Sequence, residues 1–487
     1  MTSIPVPRGR RGGLLCALLL LLIAAAAPAT AAAASSTDWP QYLHGPQHSS
    51  TSLATAITPA TAPALKQLWH WKPGTVSGLP APRLDGSPTV VGSRVYIGAT
   101  SGVFYALDAT RGTIVWKRTL DVQPSGTCAA ARGITATAAV VNDPVSGAQV
   151  VYAAGARYLY ALNTTSGAQI WKTRIGPADP SGQSGHYNWS SPTVVAGHVY
   201  MGLASRCDTP LIRGGVVELD QHTGKVLHTW YTVPSGSIGG SVWSSVAVSS
   251  DGADVWVSTG NECDPTVNTC PAGNQIGDSL SIVHLSGSLA RLEGWQAPGT
   301  AGSGQDSDFG SSPTLFGAGS PPADVGSCNK NGIYYALGSK PLSAAPIWSD
   351  TIGAPANSLS SCLASAVWNG PAGTLFIAGD QTTVGGSSYG GSIRRVDPAT
   401  GAFLWQRGLP CSVMGTPSSD SAGVLAVATY NACTPSTSKP AAYLVDASSG
   451  AILKTLSIAG GRTFAQPVFA GSSLYVATEA SGLYAFG

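Results

Sequence analysis

One unit recurs along this chain and limits what it can fold into. It consists of a strand, a small-residue turn, Leu or Phe followed by Tyr-Ala-Leu-Asp, then Thr-x-Gly and a closing Trp. Clear copies run from Val103–Asp108 to Trp116 and from Tyr158–Asn163 to Trp171. Weaker copies occupy 216–220 up to Trp230, 333–337 up to Trp348, 393–397 up to Trp405, and 442–446. A period of roughly 50–60 residues with four short strands per unit is the mark of radial repetition, a β-propeller.

Each unit opens with a small-residue strand, expected at 86–91, 134–141, 190–195, 242–248, 311–315, 363–368, 414–418 and 464–469. The last unit stops at Gly487 without a Trp-ending strand, while an orphan segment, 65–71, precedes the first opening. That segment reads as the missing strand. The fold class is therefore all-β: an eight-bladed propeller of four-stranded antiparallel blades whose last blade is closed by an N-terminal strand, removing exposed edges. The 60 Gly and 34 Pro punctuate turns, and no long stretch carries helical periodicity. A net charge of +2 with 10% charged residues supplies no basic stripe, so nucleic acid is not an expected partner.

Residues 1–34 read as a signal peptide. Arg8, Arg10 and Arg11 precede an apolar run over 14–27, and small residues offer cleavage near Ala31 or Ala34. The expected division is then signal peptide 1–34, lead-in segment 35–64 and propeller 65–487. Cleaved export without a membrane span is expected, with the Arg10-Arg11 pair leaving the route open. Removing Cys16 leaves eight cysteines, an even number suited to an oxidising compartment. In a blade, the start of the inner strand and the second-to-third turn share one rim. Cys128, Cys362 and Cys411 fall at the former, and Cys207, Cys263, Cys270, Cys328 and Cys433 at the latter. The expected pairs are Cys263–Cys270, Cys411–Cys433, Cys328–Cys362 and Cys128–Cys207.

The same rim collects the unusual polar residues: Arg132-Gly133, Trp189-Ser190-Ser191-Pro192, 239–245, Ser258-Thr259-Gly260-Asn261, Asp306-Ser307-Asp308-Phe309 and Lys330-Asn331-Gly332. With the Tyr-Ala-Leu-Asp…Thr-x-Gly…Trp units and the opening Asp38-Trp39-Pro40-Gln41-Tyr42, these motifs resemble the quinoproteins, eight-bladed dehydrogenases that bind pyrroloquinoline quinone (PQQ). Polyvinyl-alcohol-type dehydrogenases are a near flavour. The repeats cover nearly all of the chain after residue 34, but non-enzymatic relatives share them, including the outer-membrane assembly lipoprotein, so they specify fold better than function.

What the resemblance implies is residue-specific. Arg132 would bind the charged edge of PQQ, Trp243 would form the flat floor beneath it, Lys330 would reach its quinone oxygens, and Ser191 joins them as a cofactor contact. Asn261 would supply a calcium ligand, and Asp308 aligns with the catalytic base. The chemistry suits the residue types. A planar tricarboxylate takes an arginine fork and an indole face, and calcium takes oxygen ligands and polarises a carbonyl. A carboxylate accepts the alcohol proton, and an ammonium stabilises charge developing on the quinone.

Departures are equally specific. Alanines stand between Cys128 and Arg132, where the family's alcohol dehydrogenases often carry two adjacent cysteines. Where the family places a glutamate metal ligand this chain has Ser205-Arg206-Cys207-Asp208, so either Asp208 substitutes or the metal is lost. No Cys-x-x-Cys-His occurs, so electrons would pass to a separate acceptor. His186, His222 and His228 lack metal-site spacing. Two readings follow: an exported PQQ- and calcium-dependent dehydrogenase, acting as a monomer on an alcohol, polyol or sugar hydroxyl of a small or polymeric substrate, or a non-catalytic propeller binding other molecules through its rim.

Overall fold

The repeat motif earns its residues at the seams between blades. Asp108 Oδ1 accepts the backbone N–H groups of Thr110 and Arg111 at 3.0 and 2.9 Å, an Asx-type turn. Gly112 follows at φ +68°, and a Cβ there would lie 2.6 Å from the Trp69 ring. Trp69 belongs to the neighbouring blade and donates its indole N–H to Ala109 O at 2.9 Å. Trp116 meets Gly167 in the same way, as do Trp171 and Gly224, Trp348 and Gly401, and Trp405 and Gly450. The turn glycine is thus needed twice, for its left-handed backbone and for the space that the previous blade's indole fills.

In this computed structural model the described residues are 1–5, 37–124, 128, 132–177, 185–303, 306–354 and 362–487. The chain divides into two units, Met1–Ala31 and Ala32–Gly487. Most of the expected signal peptide lies outside the described residues, and the second unit holds the ring. Eight sheets are present, and the last joins Gln67–Trp71 to Gly482–Phe486, Ser473–Thr478 and Val468–Ala470. The N-terminal strand therefore closes the eighth blade, as the orphan segment led us to expect. Trp69, His70 and Trp71 pair with Ala485, Tyr484 and Leu483. The third blade carries one strand beyond four, His186–Tyr187, paired with Ser205 and Ala204. Eight principal apolar clusters fill the seams between neighbouring blades, so the core is a set of wedges around the axis. Among the described residues no helix is long and apolar enough to cross a membrane. All four expected disulfides are present.

The inner strands begin three to five residues later than the sequence suggested, at Thr89, Ala139, Thr193, Ala247, Thr314, Val367, Ser418 and Val468. The residues before them bond sideways rather than within their own sheet. Backbone N–H of Ser87 donates to Thr137 Oγ1, Thr137 to Ser191 Oγ, and Ser191 to Ser245 Oγ. The chain of bonds continues from Ser245 to Ser312, Ser312 to Ser365 and Ser365 to Thr416, and Gln466 donates back to Ser87 Oγ. A hydroxyl near the axis thus satisfies the neighbouring blade's buried amide.

The lead-in segment makes a second circle. Carbonyls of Thr37, Trp39, Pro40, Pro46, Gln47, Ser49 and Ser50 accept N–H groups of Gly471, Val90, Val140, Val248, Leu315, Trp368 and Ser419. The Gln41 amide bridges Val194 on the third blade. Residues 37–52 therefore touch every blade, covering inner-strand edges that would otherwise present unpaired amides.

Candidate functional site in the axial cavity

Strand alternation predicts which side chains face the axis once the hydroxyl ring is known. Two residues before each ring position stand Asp85, Thr135, Trp189, Trp243, Gly310, Leu363, Met414 and Phe464. All eight line one cavity of about 740 Å³. Tyr42, from the lead-in belt, lines it as well; its phenol engages Ser312 and Thr416, and burial pushes its pKa up.

On one side of this cavity sits a charged cluster. Lys330 Nζ lies 2.6 Å from Asp308 Oδ1, and it donates to Asp306 Oδ1 and Oδ2 at 2.9 and 3.1 Å. Trp243 Nε1 donates to Asp308 Oδ2 at 2.7 Å, and Asn261 Nδ2 to Asp306 Oδ1 at 2.8 Å. The ammonium also stands 5.0 Å from the Trp243 ring centroid. Burial pushes the Asp308 carboxyl up to about 6 against the pull of Lys330. Burial acts upward on Asp306 too, but Lys330 and Asn261 outweigh it and hold that group below its ordinary value. Burial would lower Lys330, yet Asp308 and Asp306 more than compensate, so it stays an ammonium across the accessible pH range.

The sequence-derived candidates separate clearly in space. Trp243, Asn261, Asp308, Lys330, Asp208 and Ser191 all line the cavity. Arg132 does not: its Nε donates to Gln123 O at 3.1 Å, within its own rim loop. Ser191 Oγ is engaged by Thr137 N–H at 3.0 Å, as one link of the hydroxyl ring. Asp208 is raised, chiefly by burial, with Ser205 and Lys330 opposing.

The opposite side was not anticipated. Arg83 donates to Asp85 at 2.8 Å, and the buried Glu479 receives Tyr430 OH at 3.0 Å and Arg462 Nε at 2.7 Å. Arg83, Asp85, Tyr430, Phe464 and Glu479 line the cavity. The signal was register: Arg83 lies four residues before its ring serine, the same offset that separates Asp308 from Ser312.

A planar polycarboxylate fits this donor set. The Lys330 ammonium, the Arg83 guanidinium and the indoles of Trp189 and Trp243 surround a volume large enough for one. Calcium fits less well. Asn261, Asp208, Asp306 and Asp308 offer oxygen atoms of the right kind, but among the described residues no three His, Cys, Asp or Glu side chains gather as a metal site.

Comparison with known proteins agrees with the architecture. Residues 39–270 match the family described as glucose/ethanol/alcohol dehydrogenase, beta-propeller domain, and residues 344–487 match outer membrane protein assembly factor BamB. Polyvinylalcohol dehydrogenases of a Pseudomonas species and of Sphingopyxis sp. (strain 113P3) are 29% and 27% identical. Each alignment covers 39% of this chain and 30% of the relative, so the chain spans under a third of those proteins. Quinohemoprotein alcohol dehydrogenase of Comamonas testosteroni superposes with TM-score 0.70 at 16% identity, covering 93% of this chain and 81% of that one. A europium-containing methanol dehydrogenase gives TM-score 0.69 at 16% identity, with 93% and 98% covered. BamB of Moraxella catarrhalis gives TM-score 0.50 at 14% identity, with 87% and 99% covered.

The class is therefore an eight-bladed propeller with an axial cavity. The chain has a PQQ-propeller-like fold, the fold of the alcohol and methanol dehydrogenases on which it superposes.

Proposed function

We propose that this protein is an exported, PQQ- and calcium-dependent dehydrogenase that oxidises an alcohol, polyol or sugar hydroxyl. One observation carries the reading: a buried carboxylate, Asp308, held between an indole N–H and an ammonium inside the axial cavity. PQQ, when bound, supplies a two-electron acceptor for the hydride leaving the carbinol carbon. Trp243 and Trp189 offer it flat faces, and Lys330 and Arg83 offer it cations. Asp308 takes the hydroxyl proton; its carboxyl, pushed up to about 6, is ionised at neutral pH yet basic enough to accept it. Trp243 N–H and Lys330 fix the two oxygens of that carboxylate and limit its rotation. Calcium's part rests on the oxygen donors Asn261 and Asp208, and no step depends on it here.

The test is titration of the purified protein with PQQ and calcium, followed by tryptophan quenching, quinone absorbance and dye reduction with alcohols. Saturable quenching that Trp243→Ala abolishes supports the reading; no binding at micromolar PQQ defeats it. A second reading, a non-catalytic extracytoplasmic scaffold, is favoured by the match of residues 344–487 to the assembly-factor family. It gains if the protein ignores PQQ.

A further inference from the structure

Charge is spread unevenly around the ring. Residues 86–175, the first two blades, hold eight Lys or Arg against three Asp, a surplus of five in a chain whose net charge is +2. Those three carboxylates are already engaged. Asp108 Oδ2 lies 4.0 Å from Arg94 and 3.7 Å from Arg111, Asp121 lies 2.6 Å from Arg157, and Asp143 lies 3.0 Å from His222 of the third blade. Among the described residues, Lys117, Arg118, Lys172 and Arg174 meet no carboxylate. Arg118 donates to Gly167 O at 3.3 Å and Arg174 to Pro177 O at 3.2 Å, while Lys172 Nζ lies 4.1 Å from the Tyr158 ring centroid. A carbonyl or a phenol ring holds a cation in place without cancelling its charge.

These four cations sit on the outermost strands of their blades, Ile114–Thr119 and Gln169–Arg174, beside aliphatic side chains that water reaches. Ile114, Val115 and Ile170 are 46%, 40% and 53% exposed. Both strands place aliphatic, indole and cation within five residues, as Ile-Val-Trp-Lys-Arg and Ile-Trp-Lys-Thr-Arg. The corresponding strands of the fourth and fifth blades, Arg291–Gln296 and Trp348–Thr351, carry Glu293 and Asp350. None of the four cations lines the axial cavity. The outer edge of a ring is convex, and a protein partner would have to be shaped to it. A bilayer rich in anionic lipid needs no recess. Its phosphates meet the cations, and the aliphatic groups enter the interfacial layer.

We propose that the outer wall of the first two blades docks on anionic lipid membranes. Lys117, Arg118, Lys172 and Arg174 meet the headgroups, and Ile114, Val115 and Ile170 are shallow anchors. The surface lies outside the cavity, so it stands whether or not the protein is a dehydrogenase. The test is sedimentation of the full-length protein with two kinds of vesicle: phosphatidylcholine alone, and equal parts phosphatidylcholine and phosphatidylglycerol. At about 0.1 M salt, affinity for the anionic vesicles should be at least about tenfold higher, and about 1 M salt should remove the difference. Lys117→Glu with Lys172→Glu should cost at least about tenfold in that affinity. Arg407→Glu with Lys454→Glu makes the same change in net charge on the sixth and seventh blades and should leave most of it. Ile114→Ser with Ile170→Ser should weaken binding by about fivefold and keep the preference for phosphatidylglycerol. An unaltered melting temperature shows that each variant is folded. Equal affinity for both vesicles, or binding that survives Lys117→Glu with Lys172→Glu, assigns the attachment to the apolar run at 14–27 and overturns the surface. Equal losses from the two double reversals reduce the effect to overall charge and overturn it as well. So does binding to neither vesicle, which would leave the acidic face of another protein as the occupant.

Discussion

Two sides of one cavity handle buried charge differently. On the fourth and fifth blades, Lys330 meets three carboxylate oxygens within 3.1 Å, Trp243 takes up the fourth and Asn261 shares Asp306 Oδ1, so the charges there are spent on one another. On the first and eighth blades, Glu479 is spent in the same way, but Arg83 and Asp85 share only one hydrogen bond. A saturated cluster holds a carboxylate in a fixed state for proton transfer; an unsaturated pair waits for a partner. The difference teaches which side suits chemistry and which suits recognition.

Asp308→Asn should break the comparison most strongly. It removes the base while leaving the hydrogen-bonding shape, so kcat should fall by about 10²–10⁴ with PQQ affinity little changed. Retained turnover in steady-state assays would move the chemistry elsewhere. Lys330→Met comes next: it leaves the buried Asp308 without its cation, at a cost of roughly 3–5 kcal/mol in urea unfolding. Arg83→Met, at a pair a third exposed to water on the arginine side, should cost no more than about 1 kcal/mol. Equal losses would erase the distinction between the two sides.

pH sharpens it further. Activity should decline as pH drops through about 6, where Asp308 takes up a proton. Stability from this group moves the other way. Its folded pKa lies above the ordinary 3.8, so the folded state holds the proton more firmly, and stability rises as pH falls from about 6 toward 3.8. Asp420 and Asp380, pushed by burial up to about 7 and about 8, act in the same direction over higher windows. Activity loss without a falling melting temperature between neutral pH and pH about 5 is the expected pattern, and parallel loss of both would point to unfolding instead. The smallest effect belongs to Ser191→Ala, which opens one link of the hydroxyl ring for about 1 kcal/mol without altering PQQ affinity. A weakened PQQ titration would return Ser191 to the cofactor.

Much of the architecture was legible in local sequence. The Asp…Thr-x-Gly turn and the distant Trp could be read as a repeat, and the orphan segment 65–71 as the strand that closes the ring. The rim positions of the cysteines put all eight on one face without fixing their connectivity, and the expected pairs are the ones the structure forms. The openings were legible only in outline, because their Ser and Thr residues serve the neighbouring blade, and such a bond links positions about 50 residues apart. For the same reason Ser191 is both a cavity-lining residue and a link of the hydroxyl ring. Arg132 stood at the right place in the chain order, but the direction of its side chain depended on the Gln123 carbonyl in its own loop. Arg83 and Asp85 carried no motif at all; they emerge once the ring supplies a register from which to count.

What the amino-acid order determined by itself was periodic: strands, turns, blade number and the seam between Trp and Gly, all decided within one repeat or between adjacent ones. The tertiary structure alone decided the contents of the cavity. A closed ring brings the same position of every repeat to one axis, so which charges meet, and whether they are satisfied, depends on residues hundreds of positions apart. Gln466 bonding to Ser87, and Thr37 to Gly471, are the physical form of that closure.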